Sequence, residues 1–396
     1  MVVWYIGIII YHCIVFVIVH FDILSETLLR VFFIAFFKEG FLVKEYGINK
    51  WSVLTRVLIV LALLVFITIQ AGCVSSVSAN DAEKIELKLA HFFPATHPAE
   101  TQLVQGWAKA VNEATNGRVV ITSYPGETLF KAADIYDNVV EGAADIGLSC
   151  FSYNIGRFPE MEAFEQPGIV YDNSKVASKV AWEGIKDLNP KCVQDTKMMM
   201  VIATGPGDLF TKTPVSKLED IKGMQIRATG LSAETLKMAG AVPVGMPQSE
   251  AYEALSKGIV AGNLAPIEVL KSWKHGEVVD YLTRTPFLYN NLFYITMNLD
   301  KWNSLSDDIQ KAITKATEKF HEEVGIGLWD QQNETALNWA VNDEKMEVAE
   351  LSQEETARWI QAVEPMIDKY IADKGEAGQK AIVTVRKLAD KYNKEY

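Results

Sequence analysis

The residue in this chain best equipped to bind something is Arg227. It ends a short apolar alternation, Met224, Ile226 and Ala228, that predicts a buried strand, and the turn pair Thr229-Gly230 follows at once. A guanidinium there carries a permanent charge and a planar fork of donors shaped for a carboxylate. Pairing with a nearby Asp or Glu, or reaching out to water, are the competing uses of such an Arg. Catalytic chemistry finds less support. There are six His but no HExxH and no Cys/His cluster, so a catalytic metal is not expected. A GxSxG elbow, a P-loop and a post-strand GxGxxG are all missing. Gly205-Pro206-Gly207 lacks a following Lys-Ser/Thr and reads as a hinge rather than a phosphate loop. No cofactor is implied.

Other side chains that would meet a ligand lie in predicted loops. His91 and His97 flank Phe92-Phe93; a His pair suits ligand hydrogen bonding, and capping of the next helix is the stronger use for His97. Phe92 and Phe93 point to opposite sides, one into the core and the other into a cleft. Phe151, Tyr153 and Phe293 form a candidate stacking wall, with core packing as the alternative. Asn290 and Asn291 compete between ligand contact and turn or capping roles, and Trp273 reads as helix-face core.

These residues need a scaffold. At 396 residues the chain is long enough for two domains, each with its own core. A formal charge of −12 argues against a nucleic-acid partner, which requires a basic footprint. Strand Ile85–Ala90 opens the folded body, and Pro98 begins a helix whose apolar face is Leu103, Val104, Trp107 and Val111. Strand 119–124, helix 132–141 and strand 144–149 follow. This β-α-β-α-β order predicts a mainly parallel sheet with ligands beyond the carboxyl ends of its strands. The loops at 91–97, 124–130 and 150–153 are therefore the ones to watch. A helix at 174–187 and a strand at 198–203 complete that half. After the crossing at Gly205-Pro206-Gly207, the second half runs to Tyr289, and the alternation from Asn290 to Asn298 returns the chain to the first. Ser306-Asp307-Asp308 starts a long helix reaching about Val341, with a bend at Gly325 and Gly327. The tail, 353–366 and 377–392, reads as amphipathic helices packed on the second domain.

The stretch from Lys222 to Pro266 adds a more specific signal. Its ordered pieces are Lys222–Arg227, Gly240–Met246, Tyr252–Gly258 and Val260–Pro266. Together they resemble the signature of the solute-binding subunits of tripartite ATP-independent periplasmic (TRAP) transporters, the DctP family. The likeness extends upstream through Tyr124-Pro125-Gly126, Gly142-x-x-Asp145-Ile146-Gly147 and Gly156-Arg157-Phe158-Pro159. It implies a two-domain, type II periplasmic-binding-protein-like α/β fold with a hinge cleft and a long kinked helix spanning both domains. It also implies that Arg227 clamps a ligand carboxylate and that Asn263 offers a polar side chain to the ligand, against a purely structural Asn. Two departures stand out: Ala261 replaces the usual Asp, and Gly207 stands where many members carry a second ligand-facing Arg. The second departure suggests one carboxylate to neutralise rather than two.

The N-terminal region carries targeting signals. Residues 1–48 form an apolar extension, followed by a complete export signal at 49–73 with a basic start, an apolar run and Ala71-Gly72-Cys73. That triplet resembles a bacterial lipobox, which makes Cys73 a candidate lipidation site, although Gln70 replaces the usual Leu. Two signals in series suggest translation starting near Ile48, with a genuine N-terminal anchor as the alternative. A tether at 74–84 leads to domain I (85–205 plus 292–332) and domain II (206–291 plus 333–396). Cys150 and Cys192 are expected as packed free thiols. The resulting expectation is an extracytoplasmic solute-binding protein that delivers a small organic acid, a monocarboxylate, to integral-membrane TRAP permease subunits. A sensory protein of the same fold, passing a carboxylate to a receptor, and an enzyme on this fold are the alternatives.

Overall fold

The computed structural model describes residues 84–396. The apolar extension, the export signal, Cys73 and most of the tether lie outside the described residues.

The first lobe is built on a five-stranded sheet. Strand β1 (Ile85–His91) buries Leu87 and Leu89 and exposes Lys88, as its alternation requires. A π-helical turn leads into α1 (Gln105–Ala114), where Trp107 and Val111 occupy one face four residues apart. Then come β2 (Val119–Tyr124), α2 (Ile135–Val140), β3 (Ile146–Cys150), α3 (Ser174–Leu188) and β4 (Thr196–Ala203). The Asn173 side chain caps α3 by accepting from the Val176 N–H at 2.9 Å. Strand β1 pairs in parallel with β2 and β3, so the carboxyl ends of all three, at His91, Tyr124 and Cys150, open on the same edge.

The second lobe follows the crossing at Gly205–Gly207. It contains β5 (Asp208–Thr211), β6 (Gln225–Arg227), α4 (Gly230–Met238), β7 (Val242–Val244), α5 (Gln248–Ser256), β8 (Gly262–Ala265), α6 (Val269–Ser272) and β9 (Tyr281–Arg284). The chain then returns as β10 (Leu292–Asn298), which inserts antiparallel between β3 and β4 in the first sheet. A short α7 (Leu299–Asn303) leads to α8 (Asp307–Phe320). A π-helical turn, His321–Gly325, breaks the long helix, and it resumes as α9 (Leu328–Asn342). Leu328 and Trp329 are buried in the first lobe's core, whereas Ala336 and Ala340 are buried in the second's. The kinked helix therefore braces both lobes, as the resemblance implied. Trp107 donates to Thr317 Oγ1 at 2.9 Å and pins its first half to α1.

Two features depart from the sequence reading. Strand β11 (Glu347–Glu350) adds to the edge of the second sheet beside β9, giving the order β11-β9-β5-β8-β6-β7. Its largely exposed residues, Glu-Val-Ala-Glu, carry no apolar alternation to betray it. The tail also divides between the lobes instead of packing wholly on the second. Helix α10 (Gln353–Val363) buries Trp359 and Val363 in the second lobe. Pro365 then starts α11 (Pro365–Glu395), interrupted at Gly375, and its Ile382, Val385 and Leu388 pack with Val176, Val180 and Ile185 of α3 in the first lobe. Amphipathic spacing shows that a helix has a buried face without showing which lobe covers it.

Candidate functional site

Parallel pairing sets the centre of the site. In the register of β6 and β8, Arg227 lies beside Asn263, so their side chains share one face of the second sheet. The Arg227 Nε donates to the Met246 carbonyl at 3.0 Å, and Nη1 reaches Asn263 Oδ1 at 3.5 Å. Only 3% of Arg227 is exposed. The ion-paired arginines among the described residues are Arg118, Arg157, Arg284 and Arg358. Arg227 is therefore a buried cation oriented by two neutral acceptors and lacking an acidic partner. Desolvating an ion without a counter-charge costs several kcal/mol; a bound anion would offset that cost.

The field of this guanidinium reaches the groups around it. Burial drives the Cys150 thiol up to about 12, and raises Tyr153 and Tyr289 as well, with Arg227 pulling each of them down. At His275 burial and Arg227 act together and push the imidazole down to about 3, so it is neutral at physiological pH. His275 Nδ1 lies 3.2 Å from Asn263 Nδ2, and its Nε2 lies 3.0 Å from the Gln248 side-chain amide.

An aromatic cluster on the first lobe completes the site. Phe92 and Phe93, expected on opposite sides, instead stack on each other in one core with ring centroids 4.3 Å apart, and Phe92 meets Tyr153 edge-on at 5.4 Å. Phe293 packs on Phe93 at 5.6 Å and on Trp329 at 5.1 Å. Trp273, expected as helix-face core, packs against both lobes' cores and lies 6.2 Å from Phe92. Its buried indole N–H is unpartnered, and so is the Oδ1 of Asn291. Asn291 stands at the crossing, where its carbonyl accepts from the Thr204 N–H at 3.0 Å.

The remaining candidates sit elsewhere. Phe151 rests against Phe158 and Tyr294 in the other core of the first lobe. Phe293 pairs with Cys150 and shares its core, so Phe151, the next residue, turns to the opposite side with Leu292 and Tyr294. His91 devotes Nε2 to Glu100 Oε2 at 2.8 Å and Ser123 Oγ at 3.1 Å. Burial works against the Glu100 carboxylate, but bonds from His91, Gln105 and Ser123 hold it below the usual range. The first placement corrects the expectation of a cleft-wall Phe151, whereas His91 keeps a buried Nδ1 without a partner. Cys150 and Cys192 are free.

The lobes meet through several direct contacts. Tyr153 of the first lobe accepts from the Gln248 backbone N–H at 2.9 Å. Ser152 Oγ lies 3.3 Å from Thr229 Oγ1, and a Cβ on Gly230 would fall 2.7 Å from that of Ser152; a glycine is what permits the approach. His97 Nε2 lies 3.2 Å from Glu268 Oε2, with both residues buried. Sequence reasoning did not find this latch or His275, because single residues far apart in the chain carry no spacing signal. At Gly207 a Cβ would sit 2.4 Å from the Tyr289 ring and 2.8 Å from the Ala265 carbonyl. The aromatic ring thus fills the place where a longer side chain would enter.

The family model for bacterial extracellular solute-binding protein, family 7 (DctP), matches residues 89–374. The C4-dicarboxylate-binding periplasmic protein DctP of Rhodobacter capsulatus is 26% identical over 73% of this chain and 87% of its own length. A marine metagenome TRAP solute-binding protein specific for aromatic acid ligands, solved with metahydroxyphenylacetate, is 29% identical with a TM-score of 0.73; the match covers 78% of this chain and 99% of that one. A TRAP periplasmic solute-binding protein of Bordetella bronchiseptica, with bound (R)- and (S)-mandelate, is 25% identical at a TM-score of 0.72 over the same shares.

Proposed function

This chain belongs to the family 7 bacterial extracellular solute-binding proteins, the DctP subunits of TRAP transporters, and on that premise we propose that it captures an aromatic monocarboxylate. Proteins of this family bind small organic acids and work with membrane permease subunits. The single observation carrying the finer reading is Arg227, buried without an acidic partner. The ligand's carboxylate accepts from the guanidinium's free N–H groups, and its ring lies against Phe92, Phe293, Tyr153 and Trp273. Closure of the lobes removes water, which strengthens the ion pair. Asn263 orients Arg227, and Asn291 offers an unpartnered acceptor at the crossing. The ring of Tyr289 against Gly207 supports a monocarboxylate, since it occupies the ground a second cation would need. The metahydroxyphenylacetate and mandelate complexes of the two similar proteins support the aromatic class. The loaded protein, exported beyond the cytoplasmic membrane, then hands the acid to its permease.

Thermal-shift screening followed by calorimetry tests this. Benzoate, mandelate and metahydroxyphenylacetate should raise the melting temperature by mass action, with succinate giving little. A succinate affinity exceeding that of every aromatic acid would overturn the assignment of class.

A further inference from the structure

We propose that His275 is a positioning residue for the anion clamp: a neutral imidazole that fixes the amide of Asn263 and, through it, the guanidinium of Arg227. The inference rests on the reading of Arg227 as the carboxylate-binding group. Arg227 has only donors, so the Asn263 atom facing its Nη1 must be the amide oxygen. The other end of that amide is then its NH2, which donates to His275 Nδ1 at 3.2 Å. An Nδ1 that accepts leaves the imidazole proton on Nε2. The Gln248 amide, 3.0 Å from Nε2, must present its oxygen there. Every orientation in the chain Arg227–Asn263–His275–Gln248 is thus determined by the one before it.

Burial makes this chain consequential. Asn263 and His275 have no exposed surface, Gln248 is 7% exposed and Arg227 3%, so water cannot replace a lost partner. The relay is also tied across the cleft, because the Gln248 backbone N–H donates to Tyr153 of the first lobe. A protonated His275 would place a second N–H against the Asn263 NH2 and a second cation near Arg227. The depressed imidazole accords with that arrangement.

The test compares substitutions of similar polarity and different reach. His275→Asn places an oxygen where Nδ1 stood and should keep the Kd for benzoate or mandelate within about threefold of wild type. His275→Gln places its oxygen near Nε2, leaves the Asn263 NH2 unpartnered, and should raise Kd about tenfold. In an Asn263→Ala background the two should be equivalent, because the path to Arg227 is already cut. Melting curves of the ligand-free variants check folding. Equal Kd values for the Asn and Gln variants, or an undiminished difference between them in the Asn263→Ala background, would overturn the inference. If wild-type binding of these acids survives Arg227→Ala, the clamp reading itself fails, and the two failures are thereby distinguished.

Discussion

The latch between His97 and Glu268 offers a quantitative test of how closure contributes to binding. The Ala99 N–H donates to His97 Nδ1 at 2.9 Å, so the neutral ring carries its proton on Nε2 and donates it across the cleft to Glu268. Ser272 also donates to this carboxylate. Hydrogen bonds to charged groups contribute about 1.5–3 kcal/mol and neutral ones about 0.5–1.5 kcal/mol. Glu268→Gln keeps the shape and an accepting oxygen but loses the charge, so it should cost about 1 kcal/mol, roughly a fivefold rise in Kd. Glu268→Ala strands a buried N–H and should cost about 2–5 kcal/mol. The bond joins opposite lobes, so its loss should appear in the dissociation rate while association stays nearly constant. Stopped-flow fluorescence reads this directly, since Trp273 and Trp329 lie in the aromatic cluster. Unchanged dissociation in both variants, or an effect confined to association, would refute the latch.

Two further outcomes are expected. Arg227→Lys retains a charge but loses the fork held by Met246 and Asn263; calorimetry should show affinity for benzoate reduced at least tenfold with little change in melting temperature. Glu165 accepts from the Leu292 N–H at 2.8 Å, and burial raises its carboxyl to about 8. From its ordinary 4.5 to about 8 the folded state holds a proton that the unfolded chain lacks, so stability falls as pH rises through that window. Glu165→Gln should remove this dependence, matching wild type near pH 4 and exceeding it by about 3 kcal/mol at pH 7, as read by denaturant melts across pH.

The fold was legible where local pattern and tertiary role coincide. Alternation marked the strand ending in Arg227, and turn chemistry at Gly205-Pro206-Gly207 marked the crossing. Gly325 and Gly327 fall at the π-helical turn and at the start of α9, where the long helix changes course. What stayed hidden depends on three-dimensional neighbours. His275 follows Trp273-Lys274 without any periodic or motif signal, yet folding puts it behind Asn263. Trp273 has the spacing of a core residue but serves both lobes at once. Phe151 and Phe293 have equal claims as aromatics, but Phe293 lies on the strand Leu292–Asn298 and Phe151 on the turn after Cys150, and the fold sends them into different cores. Helix α11 has a clear apolar face, and the turn at Pro365 decides that α3 covers it.

A crystal structure of this protein with benzoate would show whether Arg227 is the group that holds the carboxylate. The carboxylate oxygens should lie within about 3 Å of the Arg227 guanidinium, with the ring among Phe92, Phe293 and Trp273. A benzoate whose carboxylate is held by other groups, with Arg227 turned to solvent or paired with an internal acid, would contradict that role.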